Sequence, residues 1–211
     1  MPSTTPLLTR KEARQLSGAS TTIVNKAVEQ RVIATKSVER TSLVDARDAG
    51  SLALFASLHF GLPVRDKRRL ARWLRGAAVG AELALSAAII VRKTPELAEV
   101  TAAAVRYAEL KGRFLEVDPE RQGGEPVIRG TRIPIRGLAK QIEADESLEV
   151  LRQEYDYFDE DAFEFAVLWA RANPRRGRPA KPGPSSPGRE PEGRHAHIEA
   201  RRRTGAAAAS A

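Results

Sequence analysis

Residues whose types and spacing can do chemistry cluster in three places. The first is the run Ser20, Thr21, Thr22, Asn25 and Lys26, with Lys36 and Arg40 further along. Asn pairs bidentately with adenine, Lys with guanine, and Thr reaches a phosphate or a thymine methyl, so the set is suited to reading a DNA groove. Lys36 and Arg40 would add cations for the phosphate backbone. The second is the trio Arg129, Arg132 and Arg136. It either grips phosphates or an acidic partner, or pairs internally with the carboxylates that crowd the stretch from Glu143 to Glu164. The third is Arg175, Arg176 and Arg178, a compact group of guanidiniums suited to an anionic partner. Each group also has a plain use as solvated surface.

Signs of catalysis are poor, and the expectation is a protein that is not an enzyme. There is no Walker loop, nucleophile elbow or dinucleotide fingerprint. His59 sits in an apolar stretch and reads as structural. His195 and His197 form a bare His-x-His, which is not a zinc site. No catalytic residue, metal ligand or cofactor is therefore predicted. The chain has no cysteine, so disulfides and thiolate chemistry are excluded.

The first cluster needs a rigid helix to present it. Thr9-Arg-Lys-Glu12 is a capping box, in which the Thr9 hydroxyl and the Glu12 carboxylate each satisfy the other's backbone N–H. Ala13 and Leu16 mark one face of the helix that follows, and Ser17-Gly18-Ala19 breaks it. Ser20 is a good N-cap for a second helix. There Ile23/Ala27 and Val24/Val28 face inward, with Thr21, Thr22, Asn25, Lys26, Glu29 and Gln30 outward. A helix, a short glycine turn and a helix with a polar face make a helix-turn-helix pattern. Val32-Ile33 and Leu43-Val44 would supply a hairpin wing carrying Lys36 and Arg40. Together these residues resemble the N-terminal modules of the MerR and excisionase groups.

Further on, Asp45 caps a helix carrying Leu52, Phe55, Ala56 and Leu58, predicted to end at Gly61-Leu-Pro63. That apolar face serves either as a dimer interface or as ordinary core. Arg65 to Arg75 reads as a short helix with Leu70, Trp73 and Leu74 inward. Leu83 to Val91 is predicted as one strand. Pro95 opens a long helix to about Lys111, with Val100, Ala103, Ala104, Tyr107 and Leu110 as its apolar stripe. Phe114 to Val117 is predicted as a strand ended by Asp118-Pro119.

Between Gly124 and Arg136, glycines and prolines alternate with β-branched residues too densely for a helix. The pattern predicts two short strands, Val127-Ile128 and Ile133-Ile135, folded over a turn at Gly130-Thr131, with a helix beginning near Arg136. Helices are then expected near 137–144, 147–155 and 159–172. Gly124, Pro126, Ile128, Gly130, Thr131, Arg132, Ile133 and Pro134 resemble the signature of domain-of-unknown-function family 433, whose members are commonly described as VapB-type antitoxins. One departure is Tyr155-Asp-Tyr-Phe-Asp159, where that family more often has a proline-containing link. The resemblance covers about 50 residues of the 211. It implies a small helix-turn-helix-like domain in a type II (VapBC-like) antitoxin that neutralises a toxin, usually a PIN-domain ribonuclease. The eight motif residues then serve as structure or as partner contacts.

Hydrophobic residues make up 42% of the chain and aromatics only 5%, so the cores should be aliphatic and alanine-rich. No apolar run is long enough to span a membrane, and the first residues lack the pattern of a secretory signal. The expected location is the cytoplasm. The net charge of +8 is uneven. From Pro174 onward nine Lys/Arg face three Glu, which leaves 26 basic and 24 acidic residues for 1–173. Six of the thirteen prolines lie in that same tail, a composition too poor in apolar surface to fold alone. Its Arg176-Gly-Arg-Pro179 resembles an AT-hook core, suited to a narrow minor groove. With the family resemblance, Arg175, Arg176 and Arg178 become candidates to plug the carboxylate cluster with which a PIN ribonuclease holds its metal. A solvated tail is the third use.

The sequence thus predicts a mostly α protein with short β-hairpins (α+β). It comprises a winged helix-turn-helix over residues 7–76, a small homeodomain-like three-helix module with a β-clip over 81–173, and a disordered basic tail over 174–211. The expected function is an antitoxin that inhibits a PIN-domain ribonuclease and represses its own operon, as a homodimer or higher toxin–antitoxin assembly on operator DNA, with no membrane contact. The alternatives are a stand-alone MerR-like regulator answering to a small molecule, and an adaptor with no DNA role.

Overall fold

The computed structural model describes residues 5–38, 41–120, 122–144 and 148–174, a mixed α and β arrangement with small sheets. Strand β1 (Leu7–Thr9) runs directly into helix α1 (Arg10–Ser17). The capping box forms as expected, with Thr9 N–H donating to Glu12 Oε2 at 2.8 Å and Glu12 N–H to Thr9 Oγ1 at 3.2 Å. Gly18 ends α1 in the left-handed conformation, φ 68, which glycine adopts without steric cost. Ser20 then caps α2 (Thr21–Glu29) by accepting from Ile23 N–H at 3.2 Å.

The wing differs in register from the prediction. Its strands are β2 (Thr35–Val38) and β3 (Thr41–Asp45), while Val32 and Ile33 belong to the turn after α2. Both of their amides donate to the Ala27 carbonyl, and both side chains are buried, so they fill core below α2 and cannot alternate as a strand. Strand β3 is central in a three-stranded antiparallel sheet, paired with β2 on one side and β1 on the other, with Leu8 opposite Val44. The β1 partner was not anticipated, because three residues ahead of a cap carry no periodic signal.

Asp45 caps a single 3-10 turn (Ala46–Asp48) by accepting from Arg47 N–H at 3.0 Å, and α3 (Ala49–Ser57) follows. Helix α3 stops before Gly61-Leu-Pro63, and His59 is exposed beyond its end, contrary to its structural reading. Leu52 and Phe55 are core. Helix α4 (Val64–Gly76) buries Leu70, Ala71 and Leu74, with Trp73 only half-buried. Leu83 to Val91 is a hairpin and not one strand: β4 (Glu82–Ser86) turns through Ala87-Ala88 into β5 (Ile89–Arg92). Two alanines gave no turn signal of the glycine or proline kind.

Helix α5 (Pro95–Phe114) starts at proline as predicted and spans the molecule's core. Ala104, Tyr107, Ala108 and Leu110 are buried, whereas Ala103 is exposed, so the stripe is rotated from the predicted one. Phe114 closes the helix, leaving β6 as Leu115–Glu116 alone. Strand β7 (Val127–Ile128) pairs antiparallel with β6. Helix α6 (Ile135–Glu143), α7 (Leu148–Glu154) and α8 (Glu160–Ala172) complete the described chain. Phe165 of α8 stacks on Tyr107 and Phe114 of α5, at centroid separations of 6.3 and 6.1 Å. The departing segment Tyr155–Asp159 forms the link into α8, where Phe158 stacks on Tyr155 and meets Phe163 edge-on. The hydrophobic core is continuous from Leu8 to Ala172. Among the described residues no helix is long and apolar enough to cross a membrane.

Candidate functional site

The helix pair α1–α2 presents the first candidate cluster. Ser20, Thr21, Thr22 and Lys26 are exposed, because Val24 and Ala27 turn the opposite face of α2 into the core. Asn25 is half-buried: its Oδ1 accepts from Arg10 Nη1 at 3.4 Å, while Arg10 Nη2 donates to Ser42 Oγ on β3 at the same distance. Arg10 therefore spans α1, α2 and the β2–β3 hairpin. Lys36 is exposed on β2, opposite Leu43 of β3. Arg40 lies outside the described residues. So five of the six placed DNA-reading candidates are open to solvent, and Asn25 is partly engaged within the protein.

What holds this surface in place was not foreseen. Glu12, 2% exposed, does more than close the capping box. Its Oε1 accepts from Tyr107 Oη at 2.6 Å, and its Oε2 from Lys111 Nζ at 2.8 Å, both on α5. Burial works to raise the Glu12 carboxyl, but the Lys111 charge, its hydrogen bond and those from Tyr107 and Thr9 hold it below the ordinary carboxylate value. Burial raises the Tyr107 phenol, and the adjacent Glu12 charge and hydrogen bond add to that shift. Tyr107 Oη in turn accepts from Asn173 Nδ2 at 3.2 Å.

A second ion pair, whose carboxylate is buried, anchors α4. Arg75 donates to Asp48 Oδ1 and Oδ2 at 2.8 and 2.6 Å, and Asp48 is fully buried. Burial pushes the Asp48 carboxyl above its ordinary value despite the guanidinium beside it. Arg68 of α4 donates two hydrogen bonds, at 2.6 and 3.1 Å, to the carbonyl of Gln30, the residue that ends α2. A guanidinium at a helix C-terminus satisfies an orphan carbonyl and suits the helix dipole.

The clip folds largely as its glycines and prolines imply. Thr131 N–H donates to the Ile128 carbonyl at 3.0 Å, closing a turn in which Gly130 has φ 76. The Thr131 hydroxyl donates to the same carbonyl and accepts from Ile133 N–H. Gly130 N–H donates to Glu116 Oε2. The second predicted strand is reduced to a bridge between Val127 and Pro134, since Ile135 already opens α6, with its amide on the Pro126 carbonyl at 3.1 Å. Gly124 has φ 78 and Ile128 is buried, so both are used structurally, while Arg132 is exposed.

Among the described residues, Arg129 and Arg136 do not pair with the acidic helices. Arg129 donates to the Leu115 carbonyl, and Arg136 donates to the Asn173 carbonyl at 2.8 Å with its guanidinium 4.9 Å from the centre of the Trp169 ring. Instead the carboxylates of Asp159, Asp161 and Glu164 are taken by Arg106 and Arg113 of α5. Spacing could not reveal that pairing, because the partners lie 46 to 58 residues apart. Arg175, Arg176 and Arg178 lie outside the described residues.

Residues 115–170 match the family model described as "Protein of unknown function (DUF433)", and that segment begins at β6 and ends within α8. Over 60 residues the chain is 38% identical to a protein described as "Uncharacterized protein y4eO" of Sinorhizobium fredii (strain NBRC 101917 / NGR234). That alignment covers 28% of this chain and 27% of the relative, so the chain spans about a quarter of the length of the curated relative it matches. No solved structure matches.

Proposed function

We propose that this chain is the antitoxin of a type II toxin–antitoxin pair. It binds and inhibits a PIN-domain ribonuclease and represses its own operon by binding DNA through α2 and the β2–β3 hairpin. It acts by occupancy and transforms no substrate. The observation that carries the DNA side is the Arg10 bridge. By touching Asn25 on α2 and Ser42 on β3, it supports treating the exposed Thr21, Thr22 and Lys26 and the hairpin's Lys36 as parts of one surface. Helix N-terminal residues read base edges while a neighbouring ribbon holds phosphates, as in winged helix-turn-helix proteins. The toxin side is supported by the segment 115–170 and by the cluster Arg175, Arg176 and Arg178, which follows α8 in sequence.

The test is co-expression with the product of the adjacent open reading frame, followed by pull-down, an RNA-cleavage assay and gel shift on the upstream region. The expected result is a stable complex in which cleavage is suppressed and the upstream duplex is retained. A partner without nuclease activity, or one whose cleavage is unaffected by this chain, would overturn the reading.

A further inference from the structure

We infer that the arginine stripe of α4, joined by Arg31, is a second contact surface for duplex DNA: a clamp on the phosphate backbone beside the base-reading face of α2. It deepens the function proposed above and rests on its DNA-binding half.

Helix α4 carries Arg65, Lys67, Arg68, Arg69, Arg72 and Arg75 against the lone acid Asp66. Its apolar face is consumed by the core through Leu70, Ala71 and Leu74. Arg68, Arg72 and Arg75 follow one another at helical spacing and wall a groove of about 510 Å³ with Arg31 and Thr35. The opposite wall is the end of α2 and the start of β2, so the groove adjoins the elements that carry Lys26 and Lys36.

Charge bookkeeping separates structural arginines from available ones. Arg75 is neutralised by the buried Asp48. Arg68 spends its hydrogen bonds on a neutral carbonyl and so keeps its charge. Among the described residues, the Arg31 and Arg72 side chains have no hydrogen-bonding or ionic partner. Like charges three and four apart on a helix cost a few tenths of a kcal/mol per pair. Arg65/Arg69, Arg68/Arg72 and Arg69/Arg72 all incur that cost, which folding alone gives no reason to accept and a polyanion would reverse.

Arg31 adds an independent observation. It adopts φ 52, the one non-glycine residue with positive φ among those described. Glycine would make the turn from α2 into β2 without that strain. The arginine there lines the groove at a backbone cost.

The guanidinium fork favours phosphate, since it matches two oxygens at once and sheds water more readily than an ammonium does. A bilayer does not fit, because α4 has no apolar face left to insert. The stripe from Arg65 to Arg75 runs about 15 Å along the helix, enough to pass several phosphates of one strand.

The experiment measures affinity against salt for the full chain and for the double variant Arg31→Gln/Arg72→Gln. Both residues lie clear of the Asp48 pair, and a thermal melt matching the wild type would verify folding. The probes are a duplex from immediately upstream of the chain's own gene and a random duplex of equal length. The double variant should weaken both duplexes alike and flatten the log–log slope by roughly 2, at about 0.9 per lost phosphate contact. Lys26→Ala should instead lower the ratio between the two duplexes. An unchanged slope in the double variant, with the wild type still binding, would overturn the clamp and leave the proposed function standing. A wild type that binds neither duplex at low salt would overturn both. Tighter wild-type binding to poly-glutamate than to either duplex, lost in the double variant, would reassign the groove to an acidic protein.

Discussion

Glu12 ties β1 and α1 to α5 through a single buried side chain. One buried carboxylate accepts from the Thr9 amide, the Tyr107 hydroxyl and the Lys111 ammonium. Removing one member of a buried, hydrogen-bonded ion pair costs about 3–5 kcal/mol, because the remaining charge is left unpaired. Glu12→Leu should therefore lower stability by an amount of that order in urea unfolding. The exposed network of Arg106 and Arg113 with Asp159, Asp161 and Glu164 should behave differently. Its members are largely solvated, and each pair should contribute under about 1 kcal/mol, diminishing further in salt. The sign with pH follows from the direction of the Glu12 shift. Its folded carboxyl ionises more readily than the unfolded one, so its contribution is complete above the ordinary carboxylate range. It fades as pH falls through and below that range, where the unfolded chain takes up the proton first. Asp48, shifted upward, works in the opposite sense, and subtracting a Glu12→Gln unfolding series from the wild type isolates the Glu12 part. A difference between the two that stayed constant from neutral pH into the acid range would refute the assignment. Thr9-x-x-Glu12 was legible in sequence as a cap because all its parts are local. Its partners on α5 were not, since they lie 95 and 99 residues away and only the assembled fold brings them near.

Among the elements, α3 and α5 approach closely at Gly50. A Cβ there would stand 2.4 Å from Thr101 Oγ1 and 2.8 Å from the Leu97 carbonyl oxygen. The second of these is backbone and cannot rotate away, so the helices must separate. Gly50→Ala is expected to destabilise by about 1–3 kcal/mol, although alanine is the better helix former by nearly 1 kcal/mol at an open site. A melting temperature equal to or above that of the wild type would contradict the close contact. Caps and helices were the legible elements: Thr9, Ser20 and Pro95 sit where hydrogen-bonding or φ preferences place them, while Asp45 caps the 3-10 turn ahead of the helix it was expected to cap. Short strands were less so. Val32-Ile33 looked like a strand because both residues are β-branched, but tertiary burial under α2 outweighed that preference. Spacing in sequence marked the apolar face of α4, Leu70, Trp73 and Leu74, and left the use of its arginines open. Which of its arginines are neutralised became clear only once Asp48 and the Gln30 carbonyl were located.

At the scale of the described molecule, a chain of hydrogen bonds joins α1 to the end of α8. It runs from Thr9 through Glu12 and Tyr107 to Asn173, whose carbonyl accepts from Arg136 of the clip helix. Tyr107→Phe removes its middle link, leaving Asn173 Nδ2 with the Trp169 carbonyl alone among the described residues and Glu12 without its Oε1 donor. Deleting a hydroxyl bonded to a buried carboxylate should cost about 1.5–3 kcal/mol, seen as a lower urea midpoint with an unchanged slope. A slope that fell as well would indicate that the links at the two ends of the network no longer unfold together.

The same chain of contacts sets where the protein can be cut. The core closes at Ala172, and Asn173 makes the last described side-chain bonds. A chain ending after Asn173 retains every described core contact and should keep its unfolding free energy within about 0.5 kcal/mol of the full length. If Arg175, Arg176 and Arg178 occupy the toxin's carboxylate cluster, that truncated chain should remain folded and still bind the upstream duplex while releasing RNA cleavage. Adding excess Mg²⁺ to the full-length complex should shift it in the same direction, because metal and guanidinium would compete for the same carboxylates. Full inhibition by the truncated chain, indifferent to metal, would remove the three arginines from the mechanism and move toxin contact onto the described surface of residues 115–170.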